Sequence, residues 1–477
     1  MSADLERLAL GCLFPGFPGH EPPDWIRRGI DEGLGGVVLY AWNVESSTQL
    51  SALTKQLRAE RRGALVAIDE EGGDVTRLEA STGSSYPGNA ALGAVDDLEL
   101  TEEVAAAMAG DLSAVGIDLD FAPVADVNTN PANPIIGIRS FGSDPTLVAQ
   151  HVAAFVRGLQ GGGVVACAKH FPGHGDTVAD SHLELPVVQA DLDSFVADAL
   201  PPFRAAVEAG VRSIMTAHIL VPALDDVPAT ISRPILQGLL REELGFDGLV
   251  MTDALEMRAI SSTVGVEEGA VRALAAGADA LCLGHDLAQA ATLSIRDAIV
   301  QAVREGRLQE ARLVEAANRV GATARWVAEH SPAIGRSGDI GVLAAQRALR
   351  TEGRVALSRA PLVVDLEPAP SIAAGAAPGP GEWLRRALPT AEVVRVVEGD
   401  ATTPELDGRQ LVLVTRDAHR HPWQRDAVET LLAGADDAIV LEVGLPVWRP
   451  ERAAGYIASY GAARVNVEAA ARCLADS

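Results

Sequence analysis

The amino-acid sequence predicts an α/β protein, a (β/α)8 barrel of the TIM type followed by a smaller α/β domain. Short apolar runs alternate with alanine-rich helical segments, which is the pattern of parallel strands buried on both faces. Eight such runs occur within about 290 residues, and this number suits a closed barrel better than an open sheet. Polar residues follow most of the runs directly, as expected where parallel strands end at a common site.

The predicted barrel strands are residues 8–13, 36–40, 65–68, 117–121, 164–168, 213–217, 249–252 and 280–283. Helices are predicted between them, among others at 102–115, 145–160, 195–209 and 267–276. The last barrel helices extend from residue 287 to about residue 330 on the same pattern.

A linker composition, SPAIGRSGD, covers residues 331–339 and divides the chain into two predicted domains. A chain of 477 residues is too long for one ordinary core. We therefore predict a catalytic barrel over residues 1–335 and a C-terminal α/β domain over residues 336–477. The strands predicted for the second domain are 362–366, 393–397, 411–415 and 438–443, with a surface loop at 371–381.

Composition excludes several classes of function. A net charge of −26 argues against a nucleic-acid partner. No apolar run is long enough for membrane insertion, and the N-terminus lacks the features of a signal peptide, so a cytoplasmic location is expected. The four cysteines lie far apart without metal or redox spacing, and we interpret them as buried thiols.

The stretch from residue 164 to residue 186, VVACAKHFPGHGDTVADSHLELP, concentrates ionisable groups at one strand end. An apolar strand is followed by a loop in which proline and glycine disfavour helix. Three of the ten histidines of the chain lie in this loop, and such enrichment favours a functional site. The ionisable groups of the stretch are Lys169, His170, His174, Asp176, Asp180, His182 and Glu184.

Other predicted strands also end in polar residues. Asp69 follows the third, Asp120 and Asp126 the fourth, His218 the sixth, Asp253 the seventh and His285 the eighth. A carboxylate held in one rotamer at the packed barrel mouth suits a nucleophile, which is the role we predict for Asp253. The alternative is a helix N-cap, where Asp is also favoured.

The pair Asp180 and His182 forms a second chemical unit. A carboxylate two residues from an imidazole can orient the ring and raise its proton affinity, making an acid–base unit. Asp176 and Glu184 are competing local acids that spacing alone does not exclude.

The segment IDEEGGDVTRL suggests ligand binding through Asp69 and Arg77, with glycines that allow the backbone to approach a ligand closely. Arg139, in IIGIRSFG, is isolated in sequence and carries little weight alone. No set of histidines and acids has a recognisable metal spacing, so we predict neither a metal nor a cofactor.

Taken together, these motifs resemble glycoside hydrolase family 3, in particular its β-N-acetylhexosaminidase branch, which includes bacterial enzymes that recycle cell-wall muropeptides. The resemblance rests on KHFPGHGDT with DSH downstream, DEEGG followed by Arg77, IRSFG, DFAPVADV and TDALEM, and it covers most of residues 1–335. EVGLP and SYG in the tail resemble the second domain of the two-domain members.

The resemblance implies a role for each matching residue. Asp253 would be the nucleophile and Asp180 with His182 the general acid/base, in a retaining reaction through a covalent glycosyl-enzyme. The residues that would bind the N-acetylglucosamine unit are Asp69, Arg77, Arg139, Lys169 and His170. The family usually shows Asn where this chain has Asp120.

The expected function is therefore an exo-β-N-acetylglucosaminidase that releases terminal N-acetylglucosamine from muropeptides or chitooligosaccharides. One alternative is a phosphorylase, in which inorganic phosphate replaces water and N-acetylglucosamine 1-phosphate is formed. A neutral histidine repels phosphate less than a glutamate would, so the chemistry permits this alternative. A non-catalytic sugar-binding protein is the remote alternative, disfavoured because the expected catalytic residues are all present.

Overall fold

The chain forms two compact units, each built around a parallel sheet. The computed structural model describes residues 2–61, 63–178, 184–284, 289–330, 339–369, 378–400 and 405–475. The first unit comprises Met1–Glu70, Thr101–Pro134 and Ser143–Ser337, and the second comprises Glu71–Leu100, Ile135–Gly142 and Gly338–Ser477. Glu71–Leu100 and Ile135–Gly142, which were predicted to belong to the barrel domain, thus group with the C-terminal residues. The predicted domain boundary between residues 335 and 336 stays a prediction.

Eight parallel strands follow one another in the first unit. They are β1 (Leu13–Phe14), β2 (Gly36–Leu39), β3 (Leu65–Ile68), β4 (Leu119–Asp120), β5 (Val165–Phe171), β6 (Ser213–Thr216), β7 (Leu249–Thr252) and β8 (Leu281–Cys282). Strands β2 to β7 pair in sequence order, and β1 pairs with β8. Backbone bonds join these two sheets, since the Val38 N–H donates to Pro15 and the Thr252 N–H donates to Ala280. The predicted α/β barrel is confirmed.

Helices separate these strands along the chain. They are Ser2–Leu10, Asp24–Glu32, Ser47–Glu60, Leu98–Ala114, Pro145–Gly161, Leu192–Ala199, Pro201–Glu208, Arg258–Ser261, Val266–Ala276, Gln289–Arg304 and Glu310–Glu329, with a π-helix at Pro234–Glu243. No helix in the described parts of the chain is long and apolar enough to cross a membrane.

The prediction for the first strand, residues 8–13, was wrong. Most of that run belongs to the helix Ser2–Leu10, and β1 begins only at Leu13. Leu5, Leu8 and Ala9 are spaced three and four residues apart, which is the periodicity of a helix. The continuous apolar run at residues 8–13 suggested a strand instead.

Apolar side chains fill the barrel interior. Residues from all eight strands, among them Val38, Ala67 and Met251, form one buried cluster with Val320 and Trp326 of the helix Glu310–Glu329. The cysteines are free thiols, and Cys12, Cys167 and Cys282 are buried as predicted, whereas Cys473 is only partly buried. Burial raises the pKa of Cys167 to about 12, so this thiol stays protonated at neutral pH.

Buried aspartates tie the amino ends of the strands together. Asp279, which precedes β8, accepts from the Val250 N–H at 2.9 Å and pairs with Arg241 at 2.6 Å and with Arg312. Asp118, which precedes β4, accepts from the Val66 backbone N–H at 2.9 Å. Each carboxylate satisfies a strand N–H and a guanidinium from outside the sheet, because Asp118 also pairs with Arg58.

The second unit contains a six-stranded sheet of order β11-β10-β12-β13-β14-β9. Its strands are β9 (Arg350–Gly353), β10 (Pro361–Leu366), β11 (Glu392–Val396), β12 (Gln410–Thr415), β13 (Ile439–Glu442) and β14 (Gly455–Ala458). Five are parallel, and the exposed edge strand β9 pairs antiparallel with β14. The four predicted strands of the second domain correspond to β10 to β13, whereas β9 and β14 were not predicted.

The two faces of this sheet bury alternate residues of each strand. Val363 and Val412 pack with the helices Pro380–Ala387 and Arg464–Ala475, whereas their strand neighbours pack with the helix Pro422–Leu432. This period of two places helices on both faces of the sheet. Two further helices of the unit are Asn89–Val95 and Ile340–Ala348.

We predict that Asp279→Ala destabilises the protein by about 3–5 kcal/mol, because it leaves the buried Arg241 without its carboxylate. Arg241 is 6% exposed, so water cannot replace the lost partner. Chemical denaturation followed by circular dichroism measures the change. Glu268→Gln, which breaks the exposed pair with Arg307, is the control and should stay near the wild-type stability. Equal stability of both variants would contradict a structural role for the buried aspartate.

Candidate active site

Polar side chains gather at the carboxyl ends of the barrel strands. Tyr40 follows β2, Asp69 follows β3, Asp120 ends β4, Lys169 and His170 lie in β5, His218 follows β6, and Asp253 follows β7. Parallel strands in a barrel bring these ends to one face, which is where barrel enzymes carry their active sites. His285 lies outside the described residues.

Strand β5 extends beyond its predicted end at Ala168. The Ala217 N–H donates to the Phe171 carbonyl at 2.7 Å, and the pairing with β6 shifts register between Ala168 and Phe171. Lys169 and His170 therefore lie in the strand and not in the predicted loop. The two side chains reach different partners, since Lys169 pairs with Asp69 and His170 contacts Asp126.

Lys169 forms a buried ion pair with Asp69. The Nζ–Oδ1 distance is 2.6 Å, and the side chains are 2% and 23% exposed respectively. A buried ammonium requires a carboxylate partner, because an unpaired charge in the interior is strongly unfavourable. The pair therefore fixes the side chain of Asp69, which is the more exposed of the two partners, in one orientation.

Asp126 anchors the two histidines of the KHFPGH segment. Its Oδ2 lies 2.7 Å from Nδ1 of His170, and its Oδ1 accepts from the His174 backbone N–H at 2.7 Å. Burial raises the pKa of Asp126, but the charge and hydrogen bond of His170, with a contribution from His174, hold that pKa below its usual value. The ionised carboxylate places the Nδ1 proton of His170 toward Asp126 and fixes the ring.

The loop after β5 is packed against the segment that follows β4. The Asn133 side-chain amide donates to the His174 carbonyl at 2.9 Å, and Nδ1 of His174 lies 2.7 Å from the Thr177 hydroxyl. A Cβ atom on Gly175 would lie 1.7 Å from the Val127 carbonyl oxygen, so only glycine fits there. This glycine therefore serves close backbone packing, in addition to the bend predicted from sequence.

The backbone after β7 is fixed by His218. Its Nε2 lies 3.0 Å from the Ala254 carbonyl, and because a carbonyl only accepts, this nitrogen carries a proton. Nδ1 of the same ring lies 2.7 Å from the Thr230 hydroxyl. Asp253 accepts the Ala254 N–H through Oδ1 at 2.7 Å. The carboxylate of Asp253 is thus attached to a segment that a buried histidine holds in place.

Asp253 does not cap a helix, which was the alternative to a chemical role. The next helix, Arg258–Ser261, has Met257 as its N-cap residue. The position of Asp253 directly after β7 is therefore not explained by helix capping.

Tyr40 is a half-buried residue directly after β2. Burial raises the pKa of Tyr40 well above its ordinary value, and the charges of Glu256, Asp69 and Asp253 add to the shift. The hydroxyl therefore stays protonated and can act as a hydrogen-bond donor among carboxylates.

Two predicted ligand-binding residues, Arg77 and Arg139, belong to the second unit. Arg139 makes a bidentate pair with Glu71, with Nε–Oε2 at 2.9 Å and Nη2–Oε1 at 2.7 Å. Such a planar two-bond contact fixes the guanidinium in orientation as well as position. Arg77 is half-buried.

The two glycines of DEEGG have a structural explanation. Gly72 and Gly73 have φ values of 77° and 60°, which favour glycine. A Cβ atom on Gly73 would lie 2.6 Å from Cα of Gly88. The close approach seen here is between two segments of the chain, whereas the predicted approach of this backbone to a ligand stays a prediction.

The predicted acid–base pair, Asp180 and His182, lies outside the described residues. The competing acids Asp176 and Glu184 are both exposed. Asp176 accepts a long hydrogen bond of 3.4 Å from the Thr129 hydroxyl. Within the described ranges, no three side chains of His, Cys, Asp or Glu are grouped as a metal site requires.

Sequence reasoning placed Asp126 at a strand end but gave it no role, and it missed Tyr40, Thr177 and Asn133 altogether. DFAPVADV contains Asp126, so a stronger reading of that motif was available. No local signal marks the other three, because their roles depend on contacts formed only after folding.

We predict that Asp126→Asn reduces stability at neutral pH by about 2 kcal/mol, through the loss of hydrogen bonds to a charged acceptor. The folded-state pKa of Asp126 lies below the ordinary value of an aspartate, so the wild-type advantage is full above about pH 4 and decreases as pH falls through the folded pKa. Unfolding free energies at pH 6 and pH 3 test this. Asp198→Asn, an exposed change, is the control. A difference that grows toward low pH would contradict the assignment.

Comparisons with known proteins identify the family. The chain matches the glycosyl hydrolase family 3 N-terminal domain over residues 20–323. It is 39% identical to a beta-hexosaminidase A of Pseudoalteromonas piscicida over 281 residues, covering 54% of this chain and 47% of that protein. A beta-hexosaminidase of Thiobacillus denitrificans is also 39% identical, over 287 residues, covering 58% of this chain and 79% of its own length.

A solved structure extends the similarity to both units. It is a family 3 beta-N-acetylglucosaminidase from a Paenibacillus species, with a TM-score of 0.87 and 33% identity, covering 98% of this chain and 96% of that one. The chain spans about half the length of the first of the curated relatives above. Because the family match covers more than half of the sequence, this chain belongs to glycosyl hydrolase family 3, as its motifs predicted.

Proposed function

We propose that this protein is a retaining exo-β-N-acetylglucosaminidase that releases terminal N-acetylglucosamine from muropeptides or chitooligosaccharides. The single observation that carries the proposal is the placement of Asp253 directly after β7, on a backbone fixed by His218. The carboxyl ends of β3 and β5, in the same barrel, carry the Asp69–Lys169 pair. Similarity to proteins named beta-hexosaminidase supports the choice of sugar.

In the proposed reaction Asp253 attacks the anomeric carbon and the glycosidic bond breaks. The leaving oxygen takes a proton from His182, which Asp180 orients. A water molecule then gives its proton to the same imidazole, attacks the anomeric carbon and releases Asp253. Two displacements at one carbon retain its configuration.

Asp69, Lys169 and His170 bind the sugar in this proposal. The ion pair offers carboxylate oxygens as acceptors for sugar hydroxyls, and Asp126 orients His170. Tyr40 contributes a protonated hydroxyl to the same strand ends. The sugar-binding roles predicted for Arg77 and Arg139 stay predictions.

Product analysis tests the proposal. Muropeptides with terminal N-acetylglucosamine, and chitobiose, are incubated with and without phosphate, and the first-formed sugar is followed by proton NMR. The β-anomer of N-acetylglucosamine is expected in both buffers. Nothing among the described residues favours phosphorolysis, and formation of a sugar 1-phosphate would replace the hydrolase proposal. An α-anomer as first product would overturn retention.

Asp253→Ala should abolish turnover while leaving the fold intact, because it removes the group that forms the covalent intermediate. Added azide should partly restore cleavage of an activated aryl glycoside and yield the α-glycosyl azide, since a small anion can occupy the space of the lost carboxylate. Asp247→Ala, at an exposed acid near the amino end of β7, is the matched control and should keep wild-type kcat. Full activity of a folded Asp253→Ala protein would remove this residue from the mechanism.

His182→Ala should lower kcat/KM about 10²–10⁴-fold for substrates with poor leaving groups, because they depend on proton donation. Aryl glycosides with acidic phenols should be much less affected in the glycosylation step. Asp180→Asn should have a smaller effect and lower the basic limb of the pH profile, since loss of a carboxylate lowers a histidine pKa. A leaving-group series measures both, with Glu184→Gln as the control. Equal slowing of all substrates by His182→Ala would point to another acid.

A further inference from the structure

Asp120 is a fully buried carboxyl group to which the proposed reaction assigns no part. It ends β4, and its relative exposure is 0%. Its Oδ1 accepts the Glu70 backbone N–H at 2.8 Å. Its Oδ2 is buried and has no hydrogen-bond partner among the residues that the structure describes. A buried ionised oxygen without a partner is strongly unfavourable, so a protonated group fits this geometry better.

The charges around Asp120 point the same way. Asp69 and Glu70 lie at the end of β3, and Lys169 and Cys167 lie in β5 on the other side of β4. The single cation of this group, Lys169, is already paired with Asp69 at 2.6 Å. It cannot also compensate a second buried carboxylate fully.

The electrostatic influences on Asp120 agree with the geometry. Burial raises the pKa of Asp120 well above its ordinary value. The hydrogen bond from the Glu70 N–H and the charge of Lys169 oppose this rise, whereas the charges of Glu70 and Asp69 increase it.

We propose that Asp120 works as a neutral carboxylic acid and as a positioning residue. It fixes the backbone next to Asp69, and because it carries no charge it does not compete with Asp69 for the ammonium group of Lys169. The proposal rests on the sugar-binding role of Asp69 in the proposed function. Glu70 directly follows Asp69, so its hydrogen bond to Oδ1 restrains the residue that contacts the sugar. Loss of the proton would place a negative charge beside the ion pair and draw Lys169 away from Asp69.

A rise in pH that ionises Asp120 should therefore weaken substrate binding. When Asp120 ionises, KM should rise, because Asp69 loses its fixed orientation. The proposed acid, His182, acts on the chemical step, so its ionisation should appear in kcat. Separate pH profiles of KM and kcat distinguish the two residues.

Three variants test the proposal through the pH dependence of KM. Asp120→Asn keeps an oxygen acceptor for the Glu70 N–H and cannot ionise, so wild-type KM near pH 6 and the absence of the alkaline rise in KM are expected. Asp120→Ala removes the acceptor, and KM should rise about tenfold at every pH, equivalent to one hydrogen bond. Asp118→Asn changes the same residue type before β4 and should keep the wild-type KM–pH profile.

Two results would overturn the proposal. One is a KM–pH profile of Asp120→Asn that coincides with that of the wild type. The other is a KM of Asp120→Asn near pH 6 that is raised as much as in Asp120→Ala.

An infrared measurement tests the protonation state of Asp120 independently of whether the proposed function is correct. The difference spectrum between wild type and Asp120→Asn at pH 7 should show the C=O stretch of a protonated carboxylic acid. Its absence overturns the inference even if the enzyme hydrolyses the expected glycosides. Its presence supports a neutral Asp120 even if another substrate is found.

Discussion

The ion pair between Lys169 and Asp69 is the contact on which the arrangement of the barrel's carboxyl end depends. It joins β5 to the end of β3 across 100 residues of chain, with a distance of 2.6 Å. The lysine is 2% exposed, so it needs its carboxylate for electrostatic reasons before any ligand is considered. Pairing of β3, β4 and β5 in sequence order brings the two residues together. The geometry of Asp69 is thus maintained because an unpaired, buried Lys169 would be strongly unfavourable.

The buried acids at the amino ends of the barrel strands have different partners from those at the carboxyl ends. At the amino ends, Asp118 and Asp279 each accept from a neighbouring strand N–H and pair with arginine. At the carboxyl ends, Asp126 is held by histidines and Asp120 keeps one oxygen without a hydrogen bond among the described residues. Asp118, Asp279 and Asp126 have partners on both carboxylate oxygens, whereas Asp120 has a hydrogen-bond partner on one. Among these four buried acids, Asp120 is therefore the one whose surroundings favour the neutral form most clearly.

Positioning residues surround the proposed catalytic groups. His218 is fully buried and fixes the segment after β7, just as Asp126 fixes His170 from the segment after β4. Neither needs to contact a substrate, because each acts by holding a neighbour in one orientation. Such support is what allows side chains on separate strands to act together.

The sequence by itself determined the alternation of strands and helices, because apolar periodicity is local. Seven of the eight barrel strands and β10 to β13 were located from it, whereas the first strand failed because Leu5, Leu8 and Ala9 also fit a helix. The motifs also determined the family, since residues such as Asp69 and Asp253 occur in recognisable local contexts.

Only the tertiary structure decided the partners. The extension of β5 through Lys169 depends on hydrogen bonds from neighbouring strands, and β9 is a strand only because β14 pairs with it. The burial of Asp120, and its single hydrogen bond to the backbone of Glu70, have no signature in the local sequence. The reason is physical: a side chain's charge and orientation depend on groups that lie far away in sequence and become neighbours only when the strands assemble.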